Sequence, residues 1–115
     1  MYKEIHKMKK LKFSKIENII QDAKRGKMFV LLDDEGRENE GDLIIPATKT
    51  SAKSINFMAK HGRGLICLSL SQDQVNKLNL PLMSSTNQSR TQTAFTISIE
   101  AKKGVTSGIS AHDRA

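Results

Sequence analysis

Apolar residues recur at helical spacing early in the chain. Ile16, Ile19, Ile20 and Ala23 fall on one face, because positions three and four apart are neighbours on a helix surface. Ser14 with Glu17 three positions on reads as a capping box ahead of that face, and Gly26 as its stop. The period then changes. Met28 to Leu32 is an unbroken apolar run, short enough for a buried strand. Leu43 to Ile45 predicts a second short strand, closed by Pro46. Thr50 or Ser51 can cap a helix running through Ile55, Met58 and Ala59 to Gly62. Gly64 to Leu70 (GLICLSL) predicts a third strand. Ser71 and Gln74 form another capping box, followed by Val75 and Leu78 on one helix face. Ser84 to Thr93 is polar throughout and predicts a long mobile loop. Phe95, Ile97 and Ile99 alternate with Thr96, Ser98 and Glu100, the period-two pattern of a half-buried strand. Lys102 to Ile109 reads as a glycine-containing turn, and Ser110 with Asp113 as a new helix start.

Strand patterns thus alternate with helical ones. This predicts an α/β or α+β unit, a mixed sheet with flanking helices. The 115 residues suffice for one domain: a basic N-terminal tail over 1–12 and a folded part over 13–115. The last helix start has only Arg114 and Ala115 after it. A single turn costs more to nucleate than it returns, so the expectation is a folded part that is incomplete at its C-terminus.

Composition narrows the class. Hydrophobic residues make up 37% and charged residues 27% of the chain, which excludes disorder as the default. No apolar run approaches a membrane span, so no membrane partner is expected. Met1 to Lys12 carries five lysines with no apolar core behind them, unlike a secretory signal. Cys67 is the single cysteine, which excludes an internal disulfide and fits a reducing, cytoplasmic setting. The net charge of +7 is unevenly spread: nine Lys/Arg and three acids over 1–28, the same counts over 43–115, and six acids with Arg37 between Asp33 and Asp42. Basic arms of this kind attract sugar phosphates or nucleic acid, or are simply solvated.

Asp33-Asp34-Glu35-Gly36-Arg37-Glu38-Asn39-Glu40-Gly41-Asp42 holds the candidate chemistry. Six carboxylates this close repel one another, and water, Arg37 or a bound cation must offset them. In an extended conformation Glu38, Glu40 and Asp42 point to one side. Such oxygen ligands suit a hard cation such as magnesium, which takes one or two carboxylates and keeps water or substrate oxygens. Arg37 can hold a carboxylate or bind a substrate oxygen. An EF-hand starting at Asp33 fails, because Arg37 and Glu38 stand where an oxygen ligand and glycine are needed. A P-loop fails too, since Asp42 and Leu43 replace its Lys and Ser/Thr. A solvated acidic turn between two strands is the plain alternative.

The order of these residues points further. LDDEGRENEGDLIIPA (Leu32 to Ala47) resembles the signature of the 3,4-dihydroxy-2-butanone-4-phosphate synthase family. HGRGLICLSL (His61 to Leu70), the Leu80-Pro81-Leu82-Met83 turn, and TAFTISIEA with GVTSGISAHDRA (Thr93 to Ala115) are similar to its next blocks, in the same order. The resemblance implies a lyase that converts D-ribulose 5-phosphate to L-3,4-dihydroxy-2-butanone 4-phosphate and formate in riboflavin biosynthesis. It also implies a divalent cation (Mg2+ or Mn2+), a sugar phosphate substrate and a homodimer on an α/β fold.

Position by position, the resemblance makes Glu38 the metal ligand. It makes Arg37, Glu38, Asp42 and Thr106 substrate-binding, and gives Asp33 and Glu40 a part in tuning the loop or moving protons. Ser107 stands for a threonine common in the family, and keeps the hydroxyl. Cys67 falls near the site, with a small buried strand residue as the equal alternative. His112 reads as a surface helix-start residue, His61 as a helix-closing one and His6 as part of the tail. Arg90 and Gln92 receive no role. The family's second metal-binding histidine, its main phosphate contacts and a late catalytic glutamate lie beyond the matched blocks. The chain alone is therefore expected to be inactive, with a complementary C-terminal fragment able to restore it. A non-catalytic basic piece that binds nucleic acid or a partner chain is the competing reading. One tyrosine, no tryptophan and the acidic centre weigh against nucleic acid.

Overall fold

The structure, a computed structural model, describes residues 12–115. Residues 1–11 of the expected basic tail, His6 among them, lie outside the described residues.

Helix α1 spans Ile16–Lys24. Its N-cap is Lys15, in extended conformation and with no side-chain cap. The expected Ser14–Glu17 box therefore does not form, because the helix starts one residue later than that box requires. The C-terminal end follows expectation. The Gly26 amide donates to Ala23 O at 2.9 Å and the Lys27 amide to Asp22 O at 2.9 Å, the paired bonds of a Schellman motif. Gly26 turns the chain at φ 77°, a region that favours glycine.

The chain then enters β1 (Phe29–Leu32), which pairs antiparallel with β2 (Gly41–Ile44). The register sets Phe29 opposite Ile44, Val30 opposite Leu43, Leu31 opposite Asp42 and Leu32 opposite Gly41. A short 3-10 turn over Ala47–Lys49 leads to α2 (Ala52–Phe57). Ser51 caps α2 through a reciprocal box with Ser54. The helix runs into one π turn, Met58–Gly62, where His61 lies 4.5 Å from the Phe57 ring centre. Helix α3 (Gln72–Lys77) begins with the predicted Ser71–Gln74 box, and α4 (Ala111–Arg114) with Ser110 accepting from the Asp113 amide. Helices α2 and α4 pack together, α1 lies against β1, and the π turn lies against β2. Ile55, 4% exposed, is the buried hydrophobic residue among those described.

Two predicted strands do not form. Gly64 to Leu70 has no ladder partner among the described residues. From Phe95 to Ile99 there is only an isolated bridge between Leu82 and Thr96, with the Met83 amide on Phe95 O at 2.9 Å and the Ile97 amide on Pro81 O at 3.1 Å. The expected burial is also reversed: Thr96 is half-buried, while Phe95, Ile97 and Ile99 are exposed. A strand is a pairing of two backbones, and propensity on one segment does not supply the second edge. Ser84 to Thr93 carries no helix or strand, as expected. It is folded on its own polar groups. Ser84 Oγ donates to Thr86 O at 2.8 Å and Asn87 Nδ2 to Thr93 O at 2.9 Å. No helix among the described residues is long and apolar enough to cross a membrane.

Candidate active site at the acidic turn

The β1–β2 ladder carries the acidic segment outward. Beyond Leu32 it continues for one more bond, from the Asp33 amide to Glu40 O at 2.9 Å. The chain then reverses over 35–38. Asp34 builds this turn: its Oδ1 accepts from the Gly36 amide at 2.7 Å, and its carbonyl accepts from the Arg37 and Asn39 amides at 3.0 and 3.3 Å. Such Asx turns are a local property of aspartate. Asn39 closes it in the left-handed region, at φ 52°. The segment is thus not continuously extended from Glu38 to Asp42, and the one-sided alignment of Glu38, Glu40 and Asp42 is broken at Asn39. Only Glu40 and Asp42 keep the two-residue spacing of the ladder.

Arg37 organises the turn. Its Nε lies 2.8 Å from Asp33 Oδ2 and its Nη2 3.1 Å from Glu38 Oε2, so one guanidinium bridges two carboxylates. Asp33 also accepts the Asp34 amide at 2.8 Å and the Glu38 amide at 3.1 Å. The Arg37 hydrogen bond, with those amides and against some desolvation, holds the Asp33 carboxyl below its ordinary value. Reciprocally, the hydrogen bond to Asp33 raises Arg37, desolvation opposes it, and the charges of Asp33, Glu38 and Asp42 add to it. Asp33 is therefore an ionised anchor whose oxygens are already occupied. Among the described residues the Glu40 and Asp42 carboxylates have no hydrogen-bond or ion-pair partner, which leaves them available to a ligand or a proton.

Two residues without an assigned role enter here. Arg90, from the polar loop, donates through Nη2 to Arg37 O at 3.1 Å, bridging 53 positions. The sequence signal for it was a lone cation in an otherwise uncharged stretch. Asp113 is the second. Its Oδ2 accepts from Thr106 Oγ1 at 3.0 Å, the Ser107 amide at 3.1 Å and the Gly108 amide at 3.0 Å. Desolvation pushes its carboxyl up, but the Thr106 hydroxyl and the backbone N–H groups of the turn win, holding it at about 2.

Thr106 is thus tied to Asp113, and no hydrogen bond joins it to the acidic turn. Cys67 is exposed in the unpaired 65–70 segment, which overturns the reading of a small buried strand residue. His112 is exposed in α4, as expected of a surface residue. A cleft lined by Ile20, Ala23, Lys24, Pro46, Thr48 and Lys49 lies away from the acidic turn and has no carboxylate in its wall.

Among the described residues no three His, Cys, Asp or Glu side chains converge as a metal cage. The donor set at the turn is all oxygen: Glu38, whose Oε1 has no partner, with Glu40 and Asp42 nearby in sequence. This fits magnesium, which takes few protein carboxylates and fills its octahedron with water and substrate.

The sequence profile described as 3,4-dihydroxy-2-butanone 4-phosphate synthase matches residues 17–115. The synthase of Photobacterium phosphoreum is 55% identical over 102 residues, covering 89% of this chain and 28% of its own length. That of Pseudomonas aeruginosa is 53% identical over 100 residues, covering 87% of this chain and 27% of its own. A crystal structure of such a synthase in complex with two magnesium ions superposes with a TM-score of 0.84 at 44% identity, over 89% of this chain and 48% of that one. A two-domain synthase from A. baumannii gives 0.77 at 52% identity, over 88% and 30%. The acidic turn, Cys67, Thr106 and Asp113 all fall inside the matched span, and the chain belongs to the 3,4-dihydroxy-2-butanone 4-phosphate synthase family.

Proposed function

We propose that this chain supplies the acidic-turn portion of a lyase site that converts D-ribulose 5-phosphate to L-3,4-dihydroxy-2-butanone 4-phosphate and formate. The observation that carries this reading is Arg37, clamped between Asp33 and Glu38 on a turn inside the span shared with synthases. Asp33 fixes the guanidinium, and the remaining Arg37 donors face a substrate oxygen. Glu38 holds the cation, magnesium or manganese. Such a cation, when bound there, would supply positive charge against the negative charge that develops on the sugar oxygens. Glu40 and Asp42 are the proton acceptors for enolisation, since neither is committed to another group. Asp33 keeps the loop in register rather than transferring protons, because its oxygens are occupied.

The chain spans 28% of the length of its Photobacterium relative. Turnover on our reading needs a complementary C-terminal segment, and a homodimer as the assembled form. The test follows 13C-labelled ribulose 5-phosphate with magnesium by NMR, with and without that segment. Formate is expected only in the mixture, and is expected to vanish with Glu38→Ala. Formate from the chain alone would overturn the need for the segment. Loss-free turnover by Glu38→Ala would overturn the role of the acidic turn.

A further inference from the structure

We propose that Asp113 is a positioning residue that sets the hydrogen-bond polarity of Thr106, so that this hydroxyl meets a ligand as an acceptor and selects a ligand hydroxyl rather than a phosphate oxygen. The choice of ligand rests on the reading above; the polarity does not.

A carboxylate accepts and has no proton to give. Asp113 Oδ2 gathers the Thr106 hydroxyl, the Ser107 amide and the Gly108 amide, with Ser107 Oγ farther off at 3.4 Å. Donors crowded on one oxygen keep it ionised. The proton on the 3.0 Å line is therefore the one Thr106 owns. A threonine hydroxyl has a single proton, and committing it leaves only lone pairs for a ligand. No group among the described residues donates to those lone pairs, and Thr106 is exposed.

Ser107, its neighbour, is differently placed. Its Oγ accepts the Ile109 amide at 3.3 Å as well as lying near Asp113, so the turn itself uses it. Thr106 is the ligand-facing hydroxyl of the pair. Asp113 is in turn locked. Its amide is held by Ser110 Oγ at 3.0 Å, and since its Oδ1 is buried without a partner, Oδ2 is the oxygen that takes the donors of the turn. Gly108 sits at φ 74°, a left-handed conformation that favours glycine and that brings its amide onto Asp113 Oδ2. A sugar hydroxyl can donate to the oriented Thr106 oxygen. A phosphate dianion cannot, and would face lone pairs.

The test has two arms, both on the 115-residue chain. The first reads the Thr106 hydroxyl proton by NMR at low temperature. A slowly exchanging, downfield signal is expected in the wild type, with exchange roughly tenfold faster in Asp113→Asn, whose neutral oxygen accepts less strongly. If Asp113→Asn does not fold, acidifying the wild type is the substitute, and the hydroxyl signal must then move together with the Asp113 carboxyl. A signal indifferent to Asp113 in either experiment overturns the proposal. The second arm measures binding of ribulose 5-phosphate and of inorganic phosphate. Thr106→Val should weaken ribulose 5-phosphate binding by roughly fivefold, the scale of one neutral hydrogen bond, with Thr106→Ser restoring it and phosphate binding unchanged throughout. Equal losses for both ligands, or none for either, overturn the proposal. If the wild type binds neither ligand, the first arm alone decides the polarity, while the lyase reading stands or falls with the formate experiment on the mixture.

Discussion

Two aspartates show how much a side chain's neighbours change its chemistry. Asp33 and Asp113 both titrate below the ordinary 3.8, and Asp113 as low as about 2. A folded-state pKa below the unfolded one stabilises the fold above the unfolded value, and that contribution is lost as pH falls through the folded one. Thermal unfolding followed from pH 6 downward should therefore show the midpoint dropping between about 4 and about 2. Asp113→Asn should flatten that drop, because it removes the group with the larger shift. At the acidic turn, Asp33→Asn should speed hydrogen exchange at the Asp34 and Glu38 amides, which both donate to Asp33. Unchanged exchange at these amides would mean that the clamp does not hold the turn in solution. Arg90 and Asp113 were not readable beforehand for the same reason. Each acts through a partner that sequence spacing does not reveal, 53 positions away for Arg90 and across a glycine turn for Asp113.

Caps and turns are the best-determined elements. The Ser51–Ser54 and Ser71–Gln74 boxes form, as does the Ser110 cap, because the donor and acceptor lie within one turn of backbone. Ser71→Ala should cost about 1 kcal/mol by denaturant unfolding. Ser14→Ala should change stability by less than about 0.5 kcal/mol, since Lys15 and not Ser14 starts the helix. Comparable losses in the two variants would restore the Ser14 box. The two strands around the acidic segment were equally plain, as short apolar runs, but their antiparallel pairing with each other came only from the structure. So did the detail of the turn between them, because the left-handed Asn39 rotates Glu38 out of the alternation.

At the scale of the whole molecule the pattern of apolar residues and their burial part company. Ile55 is buried, whereas Val30, Leu31, Leu65, Leu68, Phe95, Ile97 and Ile99 are all exposed. Exposed apolar surface on this scale binds hydrophobic dyes. Leu65→Ser with Ile97→Ser should lower the dye signal without lowering stability, whereas Ile55→Ala should cost about 2–4 kcal/mol. If the double variant unfolds instead, those two residues are packed in solution rather than exposed as in the structure.

By itself the sequence determined much of what depends on neighbours within a turn or two: the caps of α2, α3 and α4 but not that of α1, the glycine stop of α1, the two strands around the acidic turn, and the family, through the order of its blocks. Tertiary structure decided the rest. It left Gly64–Leu70 without a ladder partner among the described residues and Phe95–Ile99 with a single bridge, brought Arg90 to Arg37, and committed the proton of Thr106 to Asp113. Backbone pairing and hydrogen-bond polarity belong to two groups at once, and a sequence read along its length supplies only one of them at a time.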